Sequence, residues 1–103
     1  MNIDVTDNRP LSRYEARLGD ELVGHADYRL DGGRLTITHT EVDPAHGGRG
    51  VGSELVRQVL RDVADRELEL VPRCPFVADY LRRHPDSFLD LVAAPLRERL
   101  RRE

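Results

Sequence analysis

Four glycines fall within the six positions from Gly47 to Gly52, inside the run Pro44-Ala45-His46-Gly47-Gly48-Arg49-Gly50-Val51-Gly52-Ser53. Glycine lets a backbone close around an anion, because it takes positive φ without penalty and has no Cβ to hold the anion off. Where such a run opens a helix, unpaired amides and the helix dipole both attract negative charge. A tight turn would need fewer glycines, so the pattern reads as a phosphate cradle in preference to a bare turn. Gly48-Arg49-Gly50-Val51-Gly52 lacks the Gly-x-Gly-x-x-Gly spacing of a dinucleotide fingerprint.

Three other side chains could do chemistry. Cys74, in Pro72-Arg73-Cys74-Pro75, is the only cysteine. At a helix entrance a thiol ionises more readily and can act as nucleophile or acid; the bland alternative is a small buried apolar group. On a strand His39 and Glu41 share one face about 7 Å apart, a separation suited to a base acting directly or through water. Glu41 adjoins the glycine run and is the better candidate, while His39 also fits a surface residue at a strand end. His25, His39, His46, His84 and Cys74 show none of the paired spacings that zinc sites use, so no metal is expected.

Positioning these groups requires strands before the glycines and helices after them. Arg13 to Leu18 alternates, with Tyr14, Ala16 and Leu18 on one face, and Gly19-Asp20 turns into Leu22 to Leu30, where Leu22, Ala26, Tyr28 and Leu30 share a face. Asp31-Gly32-Gly33 is a hairpin turn into Arg34 to Val42, which completes an antiparallel meander. A short additional strand is expected around Ile3 to Val5. In the strand from Arg34, the alternation puts Leu35, Ile37, His39 and Glu41 on one face and Thr36, Thr38, Thr40 and Val42 on the other. Val51, Leu55, Val56, Val59, Leu60, Val63 and Ala64 recur at helical spacing, and Leu68 to Val71 reads as a strand parallel to the one before the helix. Pro75 starts a second helix with Phe76, Val77, Tyr80 and Leu81 as its stripe, and His84-Pro85 ends it. A helical turn over Asp86 to Val92 and a frayed, charged tail over residues 95–103 follow. The fold class is α/β in the α+β sense: one domain over residues 1–103, with a meander, a β-α-β unit and a C-terminal helical segment.

Composition narrows the functional classes. A net charge of −3 leaves no surplus to neutralise a phosphate backbone, so nucleic acid is not an expected partner. All 16 cationic residues are arginine, which excludes a Walker-type lysine and Schiff-base chemistry. One cysteine excludes an internal disulfide and points to a reducing compartment. Met1-Asn2-Ile3-Asp4-Val5 lacks the basic flank and apolar run of a signal peptide, and no stretch reaches the roughly 20 apolar residues of a membrane span. A cytoplasmic protein without membrane contact, monomeric or a small homo-oligomer, is expected.

The whole run Thr38-His39-Thr40-Glu41-Val42-Asp43-Pro44, the glycine loop, the helix, Val71-Pro72-Arg73-Cys74-Pro75-Phe76-Val77 and Tyr80-Leu81-Arg82-Arg83-His84-Pro85 resembles the small single-domain GNAT-like N-acetyltransferases. The resemblance covers roughly residues 10–92. The family's pyrophosphate loop reads Arg or Gln, two residues, Gly, one residue, then Gly or Ala. Gly50 and Gly52 fill its last two positions, and Gly47 replaces the Arg or Gln, which removes one side-chain contact and leaves the backbone cradle.

That resemblance implies a minimal GNAT fold using acetyl-CoA as co-substrate, with Gly47, Gly48, Arg49, Gly50, Val51, Gly52 and Ser53 around the pyrophosphate. It further implies a pantetheine arm beside Thr40, Glu41 and Val42, inserted where two parallel strands splay, with a backbone N–H near Val42 polarising the thioester carbonyl. Cys74 would take the acetyl group first, protonate the leaving CoA thiolate, or only pack. Tyr80 resembles the acid tyrosine of larger members and is assigned to the cofactor side, although a helix-face aromatic also fits a core. The implied activity is acetyl transfer to a primary amine of unknown identity; the alternatives are a non-catalytic acyl-CoA-binding module and a plain interaction domain.

Overall fold

The structure is a computed structural model that describes residues 2–85 and 88–92. Along the chain run β1 (Asp4–Asn8), β2 (Arg13–Leu18), β3 (Glu21–Asp31), β4 (Arg34–Val42), α1 (Val51–Asp65), β5 (Glu69–Pro72) and α2 (Pro75–Arg83), with 3-10 turns at Arg9–Leu11, Pro44–His46 and Leu89–Leu91. The five strands lie in sequence order in one sheet, antiparallel from β1 to β4 and parallel between β4 and β5. The extra N-terminal strand therefore exists, displaced from Ile3–Val5 to Asp4–Asn8. Of the helical turn expected over Asp86 to Val92, the described part holds a 3-10 turn at Leu89–Leu91; Asp86, Ser87 and the tail over 95–103 lie outside the described residues.

Both helices cover the same face of the sheet. Leu55, Val56, Val59, Leu60 and Val63 of α1, with Val77 and Leu81 of α2, are essentially solvent-free against Tyr14, Ala16, Val23, Ala26, Leu35, Ile37 and Leu70. At about 1.5–3 kcal/mol for each large apolar side chain removed from water, this stripe is the main stabilising contribution. Hydrogen bonds tie the strands to α1 and to each other: Tyr14 donates to Asp62 of α1 at 2.6 Å and Tyr28 to Asp7 of β1 at 2.6 Å, while Arg66 at the end of α1 reaches both carboxylates at 3.3–3.4 Å. Burial, reinforced by the Asp7 carboxylate, pushes the Tyr28 hydroxyl up to about 12, and burial with the Asp62 carboxylate raises Tyr14.

Two β-bulges correct the strict alternation. Between β2 and β3, Ala16 pairs with Gly24 but Arg17 pairs with Leu22, so Val23 is the extra residue. Val23 is fully buried, while Leu22 stands 36% exposed beside Arg17; Leu30 at the far end is also exposed. Between β3 and β4, Tyr28 pairs with Ile37 but Asp27 pairs with His39, so Thr38 is the extra residue. A bulge residue reverses the in–out pattern beyond it. Leu35 and Ile37 are in the core, but His39 and Glu41 point to the opposite, helix-free face, and Thr40 and Val42 turn inward. The expected grouping of Leu35, Ile37, His39 and Glu41 on one face is therefore wrong past Ile37.

Candidate functional site

The glycine loop has two firmly held ends and an open middle. Asp43 accepts from the Ala45 N–H at 2.9 Å, and the Gly47 N–H donates to Pro44 O at 3.2 Å. The first helical bond runs from the Glu54 N–H to Gly50 O. Among the described residues, the N–H groups of Gly48, Arg49, Gly50, Val51, Gly52 and Ser53 find no acceptor. Gly48 and Gly50 hold φ of 79° and 82°, the left-handed region that turns successive amides toward one concavity. The loop is thus a run of unpartnered donors at the positive end of α1, the arrangement that attracts an anion.

Its members contribute differently. Gly47, Gly48, Arg49, Gly50 and Ser53 are exposed, whereas Val51 and Gly52 are buried and could offer only main-chain atoms. A Cβ on Gly52 would lie 2.5 Å from the Phe76 ring, so this glycine answers close packing of α2 on α1. Glu54, an acid in the first turn, is paired with Arg57 through contacts of 2.7 and 3.0 Å and accepts from the Gln58 amide, and the Arg57 hydrogen bonds lower its pKa. Arg49 forms no ion pair among the described residues, which leaves a cation on the loop where Gly47 supplies none.

Beside the loop, the sheet forks. Pairing of β4 with β5 ends at Ile37 and Pro72, and the N–H groups of Arg73 and Cys74 both donate to Ile37 O, at 3.1 and 3.0 Å. Beyond that point β4 runs on without β5. The Asp43 N–H bonds Val23 O at 2.8 Å, so by antiparallel alternation Glu41 and His39 bond β3 while the N–H groups of Thr40 and Val42 face the fork. The Thr38 bulge sets this phase. Cys74 closes the fork: its thiol, 4% exposed, donates to Thr40 Oγ1 at 3.4 Å.

On the helix-free face, β3 and β4 assemble a cluster that linear spacing hid. Cross-strand pairs join His25 to Glu41 and Asp27 to His39. Glu41 Oε2 lies 3.6 Å from His25 Nε2 and 3.8 Å from His39 Nε2, and Asp27 Oδ1 lies 3.9 Å from His25. The expectation of no metal rested on spacing along the chain, yet strand register brings the ligand-type atoms of His25, His39 and Glu41 within 4.8 Å, and the turn after β4 brings those of Glu21, Asp43 and His46 equally close. Asp27 escaped the sequence reading because its partner is defined only by pairing across the hairpin.

Tyr80 belongs to the other side of the sheet. It is 8% exposed, stacks on His84 with centroids 4.2 Å apart, and is raised in pKa by burial. With Ser53, Phe76, Asp79, Arg83 and His84 it lines a cavity of about 280 Å³ beside the α1 N-terminus. The structure therefore brings Tyr80 to the loop, Cys74 to Thr40, and Glu41 to His39 and His25.

The sequence model of the GCN5-related N-acetyl-transferase family matches residues 13–91. The chain belongs to that family. A GCN5-like protein from Staphylococcus aureus, solved in solution, shares the fold at a TM-score of 0.64 and 23% identity, with 89% of each chain covered. Rv2747 from Mycobacterium tuberculosis, solved in complex with CoA, superimposes at a TM-score of 0.57 and 24% identity over 72% of this chain and 47% of that one. The ribosomal-protein-S18-alanine N-acetyltransferase of Escherichia coli gives 0.54 and 17%, over 56% of this chain and 38% of the enzyme. The chain thus spans less than half the length of those last two proteins. No curated protein sequence matches it. Among the described residues no helix is long and apolar enough to cross a membrane.

Proposed function

We propose that the protein is an acetyl-CoA-dependent N-acetyltransferase acting on a primary amine in a reducing, cytoplasmic setting. The observation that carries this reading is the run of unpartnered amides from Gly48 to Ser53 opening directly onto a forked sheet. The amides and Arg49 hold the cofactor's pyrophosphate. Its pantetheine arm lies along Thr40, Glu41 and Val42, and Ser53 and Tyr80 flank the nucleotide end. The thioester enters the fork, where the Val42 N–H polarises its carbonyl oxygen.

On the helix-free face an amine gives a proton to Glu41, directly or through water, and attacks the carbonyl carbon. Its new C–N bond replaces the C–S bond, and the CoA thiolate leaves. Cys74, whose thiol hydrogen is already directed to Thr40, supplies the proton that the thiolate takes. His39 and His25 beside Glu41 pass that proton on to solvent, and Cys74 regains its own from water once CoA leaves. A structural role for Cys74 predicts normal turnover in its absence.

The test is mass spectrometry of the protein incubated with labelled acetyl-CoA and a panel of primary amines. Acetylated amine with no lasting label on Cys74 supports direct transfer, and stable acetyl on Cys74 that passes to amine replaces the acid role by a covalent one. Cofactor binding without any transfer would make the chain an acyl-CoA-binding module.

A further inference from the structure

The helix-free face is divided by the fork into two regions of opposite character. On one side stand His25, Asp27, His39 and Glu41. On the other, a groove of about 530 Å³ is lined by Arg29, Asp31, Arg34, Thr36, Thr38, Val71 and Arg73. The groove crosses β3, β4 and β5, and its Thr38 and Arg73 end is the mouth of the fork, since Thr38 precedes His39 and Arg73 follows the last paired residue of β5.

The charges in this groove are unequally committed. Arg34 is spent on Glu69 at 2.8 Å, and Asp31 sits at the far end, beside the hairpin turn. Arg29 and Arg73 have no ion-pair partner among the described residues, and both are exposed. Two uncommitted guanidiniums with the Thr36 hydroxyl between their strands form a site for a planar or tetrahedral anion, which arginine binds through paired N–H donors. None of this is needed to hold the cofactor, whose cradle opens at the N-terminus of α1.

Resting on the acetyltransferase reading, we infer that the acceptor is a primary amine that also carries an anionic group, a carboxylate or a phosphate. Its amine is received by Glu41, Asp27 and the two histidines at the fork, and its anion by Arg29 and Arg73. Across the bulge His39 and Thr36 pair with Asp27 and Arg29, two residues apart on β3, so amine and anion stand about 7 Å apart. An ω-amino acid of several carbons, or the N-terminal amine of a short acidic peptide, has that span; a free α-amino acid does not.

The experiment compares 6-aminohexanoate, 6-aminohexyl phosphate, 6-aminohexanamide and hexylamine as acceptors, by transfer rate and by calorimetric binding to the CoA-loaded protein. The anionic amines should exceed the neutral ones by roughly tenfold or more in kcat/KM and in affinity, as expected for charge-assisted hydrogen bonds. The ratio of carboxylate to phosphate identifies the anion. Arg29→Gln and Arg73→Gln should each raise KM for the anionic amines while leaving the hexylamine rate and acetyl-CoA affinity unchanged. Equal use of charged and neutral amines, or variants that depress both alike, would overturn the inference with the acetyltransferase reading intact. If no amine is acetylated, that reading fails instead, and the calorimetric preference still decides for or against the anion site.

Discussion

A single thiol, a single carboxylate and two left-handed glycines carry most of the chemistry assigned here. Because Cys74 and Glu41 are given proton-transfer roles, Cys74→Ala and Glu41→Gln should each lower kcat by about 10²-fold or more and leave acetyl-CoA affinity within a factor of about three. Steady-state kinetics alongside calorimetry checks this, and a large loss of affinity would contradict both roles. Gly50→Ala tests the loop. At φ 82° a Cβ costs roughly 1–2 kcal/mol, so thermal melting should show that loss, together with weaker cofactor binding as the amides rotate. At this scale the sequence was informative about the loop, Cys74 and Glu41, because composition and turn chemistry are local. It was silent about Asp27, Arg29 and Arg73, whose meaning arises only when β3, β4 and β5 lie side by side.

The strands and helices were legible because each is bounded by residues with a strong local preference: Gly19-Asp20, Asp31-Gly32-Gly33, the glycine loop and Pro75. The bulges were not. Val23 and Thr38 are ordinary strand residues with no local reason to be skipped, and the shift pays off only in register, where Val23 enters the core and Thr40 and Val42 turn to the fork. Deleting Thr38 should therefore be far more harmful than Thr38→Ala. The deletion would drive His39 and Glu41 toward the core, with a loss of several kcal/mol in denaturant melts, whereas the alanine variant should lose about 1 kcal/mol or less. Electrostatics on the same face predicts a pH effect. Glu15, 7% exposed, is held below its ordinary pKa mainly by Arg13 at 2.7–2.8 Å. A carboxylate lowered in the folded state stabilises above its unfolded pKa and loses that contribution as pH falls through the folded one. Melting temperature should thus decline below about pH 5, and less steeply in Glu15→Gln. Parallel curves for the two proteins would show that Glu15 contributes nothing.

At the scale of the molecule, both helices pack on one side of a five-stranded sheet, and the described residues leave the other side open. In the proposed reaction cofactor and acceptor approach the fork from opposite faces and meet where β4 and β5 separate. The family match fixes the fold, while the proposed acetyl transfer and its acceptor rest on this chain's own loop and open face. All of it requires that main-chain donors from Gly48 to Ser53 hold a pyrophosphate. The most direct measurement is thermal melting with acetyl-CoA against acetyl-pantetheine, which keeps the thioester arm and lacks the pyrophosphate. Acetyl-CoA at about 100 times its Kd should add about 2.7 kcal/mol, roughly 10 °C or more for a chain of this size, and acetyl-pantetheine at equal concentration should add little. Equal shifts, or no shift with acetyl-CoA, would contradict the account.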